Sequence, residues 1–348
     1  MKISLSLFLI SSFFSLAFFP FFPSRNKHAT ECVKKRVTCA VIGVPKSIDN
    51  DILLIDRCFG FDTAVEEAQR ALLAAKVEAS SAFRGLAIVK LMGRQSGFIA
   101  TQASLSSGVV DVCLIPEVPF SLGGRGAFSF RFFFFLHDFF LFRVSGPRKP
   151  HFKKKNAFTL STKNKTGGLI AHLTKLIERK GHAVVCVAEG AGQDLLSGAA
   201  AAAGGGAGAA AAGVVERDAS GNPILADVGP WLKAELKRGI PGADVKLIDP
   251  SYTIRSVAAN SADRVLCKVL AHNAVHAAFA GFSGVTVGLV NTHYVYLPTP
   301  LLILAPRRVD PRSKAWNRLR SSLKQPSLLG DGDGDGEWEY EDEYGNKS

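Results

Sequence analysis

Gly43-Val44-Pro45-Lys46-Ser47-Ile48-Asp49-Asn50-Asp51-Ile52 is the stretch on which the reading of this chain turns. The β-branched run that leads into it, Val37 to Val44, predicts a buried strand. Pro45 ends that strand, because proline takes a donor out of the ladder. Lys46 to Ile52 then forms a loop at a strand's carboxyl end, where open α/β sheets gather their ligands. Asp49 and Asp51 stand two apart with Lys46 close by. Such a set suits a hydroxyl attacking a phosphoryl group. One acid takes the hydroxyl proton, the other holds a metal or a water, and the cation meets phosphate. A polar turn whose carboxylates cap the next element is the competing reading, and spacing alone does not exclude it.

Outward from this loop, strands alternate with helices. Asp62 is placed to cap a helix running to about Val77, with Ala64, Val65, Ala68, Ala71, Leu72 and Ala75 on one face. Gly85–Leu91 reads as a strand, Gln95–Ser106 as a helix and Asp111–Ile115 as a strand ended by Pro116. Glu117 beyond it reads as a structural cap. Leu169–Arg179 predicts a helix, His182–Ala188 a strand, Asp227–Arg238 a helix, Val245–Asp249 a strand and Asn260–Ala280 a long helix. Val285–Val290 is the last clear strand. The pattern is an α/β class with mainly parallel sheet.

The 348 residues, 47% of them hydrophobic, suffice for one large or two modest domains. Six scattered cysteines, several inside apparent strands, fit buried thiols in a reducing compartment and form neither a disulfide framework nor a metal spacing. The net charge of +12 is concentrated in residues 143–165 and 307–324, and residues 331–343 answer it with acids. Without aromatic–basic interleaving in the regular core, nucleic acid is not the expected partner. His272 and His276, four apart, lack a third ligand and make a weak metal pair. Residues 1–32 form an apolar leader that by physics alone looks like a secretory signal. Residues 125–167 are Phe- and Lys-rich, 199–213 are an Ala/Gly tract, and 330–348 an acidic tail. Of the 25 phenylalanines, 18 fall in residues 1–22 and 125–158. The expectation is that both segments are foreign to the folded unit, with 125–167 disordered, the Ala/Gly tract a flexible surface insertion and the tail disordered. No membrane association is expected.

Pro45-Lys46-Ser47-Ile48-Asp49-Asn50-Asp51-Ile52 followed by Phe59-Gly60-Phe61-Asp62-Thr63-Ala64 resembles the catalytic segment of phosphofructokinases. So do, in the family's order, Lys90 to Phe98 with its Met92-Gly93-Arg94, Leu114-Ile115-Pro116-Glu117, Ala188-Glu189-Gly190, and Tyr252-Thr253-Ile254-Arg255. Asn291 to Pro298 and Ala305-Pro306-Arg307-Arg308-Val309 are similar to the plant ATP-dependent enzymes of the plastid-type branch. The resemblance runs from about Val33 to Leu329, broken by two insertions.

It implies two lobes of mainly parallel sheet flanked by helices, 33–124 belonging to an incomplete first lobe and 168–329 to a second, substrate-binding lobe. The implied activity is phosphoryl transfer from ATP, with Mg2+, to the 1-hydroxyl of fructose 6-phosphate. The implied proton acceptor is Asp49, with Asp51 helping to place metal or phosphate. Ser47, Ile48, Met92, Gly93 and Arg94 would line the sugar, and Glu189 would bind its hydroxyls. Tyr252 and Arg255 would hold the 6-phosphate, with Thr253 and Ile254 between them at the substrate site; Lys246, six residues before Tyr252, is a candidate third phosphate contact. The glycine-rich nucleotide half expected upstream of Val33 is not matched, so negligible turnover is expected of this chain alone. A pyrophosphate donor and a non-catalytic role beside complete phosphofructokinase chains stay open. The family further implies an oligomer in the plastid stroma or the cytosol.

Overall fold

The computed structural model describes residues 34–35, 39–123, 168–202 and 225–328. The expectations for the leader, the Phe/Lys-rich segment, most of the Ala/Gly tract and the acidic tail lie outside these residues. Two sheets organise the rest. The larger has four parallel strands in the order β3-β4-β2-β5: β2 (Gly85–Leu91), β3 (Val112–Leu114), β4 (His182–Ala188) and β5 (Asp244–Ile248). The smaller joins β1 (Ile42–Gly43), β6 (Val285–Val290) and β7 (His293–Pro298), with β1 parallel and β7 antiparallel to β6. The segments 33–124 and 168–329, expected in different lobes, each give two strands to the larger sheet. The expected boundary therefore does not divide the sheets.

Alternation along the strands builds a core on each face of the larger sheet. Ala87, Val89 and Leu91 of β2 meet α1 (Phe61–Ser81), α2 (Phe98–Ser107) and α9 (Lys314–Leu323). Leu86 and Ile88 meet α3 (Leu169–Lys180) and α5 (Val228–Gly239). The remaining helices are α4 (Gln193–Ala202), α6 (Ser251–Ser256), α7 (Ser261–Phe279) and α8 (Thr299–Leu302). Strands β2, β4 and β6 match their expected bounds.

Several local expectations need correction. Of the buried strand expected at Val37–Val44, residues 37–38 lie outside the described residues, and within 39–44 the strand is the half-buried pair Ile42–Gly43. A second strand follows Val290. Asn291 and Thr292 adopt φ of 46° and 69° between the paired residues Val290 and His293, the two-residue hairpin geometry that needs positive φ at both central positions. The basic run 307–324 contains helix α9, whose Trp316 and Leu319 are buried while Lys314 and Arg318 are exposed. Tyr252 to Arg255 lie on the short helix α6, started by Asp249, whose Oδ1 accepts from the Ser251 amide at 3.1 Å and from its hydroxyl at 2.5 Å.

Asp62 does not cap α1; it pairs with Arg57 at 3.0 Å. The cap comes from Asp263, about 200 residues away on α7. Its Oδ1 accepts from the Gly60 amide at 2.8 Å and its Oδ2 from the Thr63 amide at 2.7 Å and hydroxyl at 2.5 Å. This carboxylate is 1% exposed, and it welds the helix of the smaller sheet to the first helix of the larger one. Removing it strands three donors, each worth roughly 1–3 kcal/mol when buried and unpaired. Asp263→Ala is expected to lower stability by about 3 kcal/mol or more, read as a reduced urea midpoint.

Candidate active site

Three parallel strands deliver their following residues to one place. The register Leu91↔Ala188 sets the ends of β2 and β4 side by side, so Met92-Gly93-Arg94 leaves the sheet next to Glu189-Gly190. Main-chain bonds hold the two turns together, Glu189 N–H to Leu91 O at 2.9 Å and Gly190 N–H to Gly93 O at 3.1 Å. Gly93 has φ 133° and a Cβ there would lie 2.4 Å from Ser96 O; one on Gly190 would lie 2.0 Å from Arg94 O. Only glycine permits this approach. It leaves Arg94 Nε 3.6 Å from Glu189 Oε1. Strand β5 stops at Ile248, opposite Val89, and helix α6 carries the chain onward to Arg255, whose Nε donates to Met92 Sδ at 3.2 Å.

Asp49 sits among these groups. Its Oδ1 is buried without a hydrogen-bond partner, although the residue as a whole is partly exposed. Burial pushes the carboxyl up to about 7; Asp51 and Glu189 add to the rise, and the Arg255 and Arg94 guanidiniums oppose it. A carboxyl poised near neutrality, with an unused oxygen and two guanidiniums in its field, is equipped to take a proton from a bound alcohol. Ser47 Oγ donates to Asp51 Oδ1 at 2.6 Å. Ile48 packs on the core beside α1. Asn50, with φ 56°, takes the Cys58 amide at 2.8 Å and gives its amide hydrogen to Asp56 O at 3.0 Å, which holds the loop from within. Burial lowers the Lys46 ammonium.

Not every expected residue joins the cluster. Lys246 lies within β5 opposite Ala87, exposed and paired with Asp244 at 3.4 Å. Tyr252 is 82% exposed. Thr253 spends its hydroxyl on Pro250 O at 2.8 Å, and Ile254 is buried in the core. Thr253 and Ile254 serve the placement of α6, and Arg255 is the member that reaches the Asp49 cluster.

Two further residues support the site, and one of them, Lys90, escapes a sequence reading. Lys90 at the end of β2 bonds Asp249 at 2.7 Å and Asp227 at 3.1 Å. Burial works against its charge, but the two carboxylates hold its ammonium above the ordinary value, and Lys90 with Ser251 holds Asp249 low despite burial. The brace thus fixes the starts of α5 and α6 to the end of β2. Glu117 Oε1 accepts from the Gly97 amide at 3.0 Å and from the Val309 amide at 2.8 Å, the structural role anticipated for it. The signal for Lys90 was faint because its partners lie more than 130 residues away.

The Phosphofructokinase family profile matches residues 25–125. Over 308 residues the chain is 47% identical to the chloroplastic ATP-dependent 6-phosphofructokinase 5 of Arabidopsis thaliana, covering 87% of this chain and 47% of that one. The matched residues, 25–125, belong to the phosphofructokinase family. The chain is 41% identical over 302 residues to ATP-dependent 6-phosphofructokinase 1 of the same plant, covering 86% of this chain and 53% of the relative. The chain thus spans about half the length of the curated relatives it matches. Its fold is that of the pyrophosphate-dependent phosphofructokinase of Nitrosospira multiformis, at a TM-score of 0.55 and 18% identity over 88% of this chain and 64% of that one.

The raised Asp49 carboxyl makes stability depend on pH. Between about pH 4 and 7 the unfolded carboxyl ionises while the folded one keeps its proton. Stability present below pH 4 is therefore lost as pH rises through about 7. Asp49→Asn lacks this slope. Relative to the parent it should gain on the order of 3 kcal/mol between pH 4 and pH 8, measured by urea unfolding at both pH values.

Proposed function

We propose that this chain carries the sugar-phosphate side of a 6-phosphofructokinase, the glycolytic step that turns fructose 6-phosphate into fructose 1,6-bisphosphate. The observation that carries the reading is the buried, unpartnered Asp49 Oδ1 in the joint field of Arg94, Arg255 and Glu189. In this reading the sugar's 1-hydroxyl lies against Asp49, which takes its proton as the oxygen attacks phosphorus. Arg255 grips the 6-phosphate with a planar fork. Arg94 sits where charge grows on the transferred group, and Glu189 accepts from sugar hydroxyls. Met92 and Gly93 line the pocket between them, and Ser47 keeps Asp51 oriented. In-line transfer of this kind draws most of its rate from positioning and charge neutralisation.

The reading takes ATP as donor, in keeping with the names of the Arabidopsis relatives. Mg2+ would supply positive charge on the phosphates. Such an ion takes only one or two protein carboxylates and completes its shell with phosphate and water. Among the described residues no group of three or more His, Cys, Asp or Glu forms a complete metal site, and Asp51 is the carboxylate suited to a partial one. No Gly-x-Gly-x-x-Gly phosphate cradle occurs among the described residues. The reading includes self-association or association with complete phosphofructokinase chains, in the plastid stroma or the cytosol. The chloroplastic name of one relative supports the first compartment. Exposed Phe279, and Phe282 tilted against Tyr296 with ring centroids 5.5 Å apart, give the smaller sheet an apolar aromatic margin suited to such contacts. Among the described residues no helix is long and apolar enough to cross a membrane.

Calorimetry on the purified chain tests the sugar site. Fructose 6-phosphate should bind, Arg255→Ala should weaken it by roughly 10- to 100-fold, the loss of a charge-assisted bond, and Asp49→Asn should leave binding within a few-fold. A folded chain that takes up no fructose 6-phosphate would sink the reading.

A further inference from the structure

Residues 306–309 run across the outside of the Asp49–Cys58 loop and hold it in three ways. Along the main chain, Pro306 bridges Ile52 in antiparallel fashion and the Arg307 amide donates to Asp51 O at 2.7 Å. Through the side chain, Arg307 Nη1 donates to Ile55 O at 2.8 Å and to Asp56 O at 3.0 Å. Through its face, the guanidinium lies 4.8 Å over the ring of Phe98, the first residue of α2. At the far end, the Val309 amide is held by Glu117 Oε1, the same oxygen that accepts from Gly97. Ser96, next to Gly97, directs its hydroxyl to Asp49 O at 3.4 Å. One carboxylate oxygen therefore ties the strap, the start of α2 and, through Ser96, the Asp49 main chain into one unit.

The loop requires such support. Asn50 and Leu54 both take left-handed backbone conformations, φ 56° and 65°, without being glycine. Conformations of this kind persist only where the surroundings over-determine them. Asn50 supplies the internal bonds, and Arg307 supplies the external ones to the two carbonyls after Leu54.

We propose that the Pro306–Val309 strap, acting through Arg307, holds the Asp49 loop in the shape that receives the sugar phosphate, which makes Arg307 a positioning residue. This rests on the sugar-phosphate reading for its functional consequence, while the mechanical part stands on the loop itself. Two variants separate bonding from bulk: Arg307→Lys keeps donors that reach the carbonyls, and Arg307→Met keeps length without donors. Amide hydrogen exchange at Asp56 and Cys58 reads the loop, exchange along β2 serves as the global reference, and calorimetry with fructose 6-phosphate reads the site.

In Arg307→Met the loop amides should exchange about ten-fold faster or more while β2 is unchanged, and the sugar phosphate should bind about ten-fold weaker. Arg307→Lys should recover most of both effects. Unchanged loop exchange in Arg307→Met, or equal acceleration in β2, would overturn the proposal. If the parent chain binds no fructose 6-phosphate, the functional reading fails while loop exchange still decides the strap.

Discussion

A carboxyl placed in a low-dielectric pocket with one oxygen unbonded is costly to ionise, and this chain keeps one at Asp49. The cost is tolerable because two guanidiniums converge on it from strands far apart in the chain. That convergence is a consequence of parallel geometry. Strands β2, β4 and β5 all point the same way, so their trailing turns emerge at one edge of the sheet. The pairing of Leu91 with Ala188 brings Arg94 to Glu189 with no further machinery. Strand β5 ends short, and the Asx turn at Asp249 with helix α6 makes up the distance that places Arg255 against Met92.

Much of the remaining structure keeps these groups from drifting. Lys90 bridges Asp227 and Asp249 and so fixes two helix starts to the end of the central strand. Gly93 and Gly190 let two turns approach to a distance that any Cβ would prevent. Asp263 couples α7 of the smaller sheet to α1 of the larger one, so the loop bearing Asp49, which lies between β1 and α1, is anchored at its far end. Each device satisfies a backbone donor or a buried charge that would otherwise be stranded, and each uses a partner distant in the chain.

Where periodicity and composition were strong, the elements could be read directly. The near-continuous apolar runs of β2 and β4 were legible to the residue because strands buried on both faces leave no alternation to misread. Strand β7 was hidden because its tyrosines and histidine are exposed, and its turn uses Asn-Thr in place of the commoner Asn-Gly. Helix α9 was hidden by the charge of its outer face. Lys246 was drawn toward the site by nearness in the chain to Tyr252, but the register of β5 holds it with Asp244, away from the strand end.

Residue identity alone carried the chemistry: two carboxylates beside a lysine after a proline-ended strand, arginines after two other motifs, and a family likeness in their order. Those are properties of short segments, and short segments preserve them whatever the rest of the chain does. Which of the charged groups actually share a field was settled by strand register and helix placement, because electrostatic coupling falls with distance and distance is set by packing between segments remote in the chain. The same holds for the Asp263 cap and the Arg307 strap, whose bonds span some 200 and 250 residues and leave no local trace.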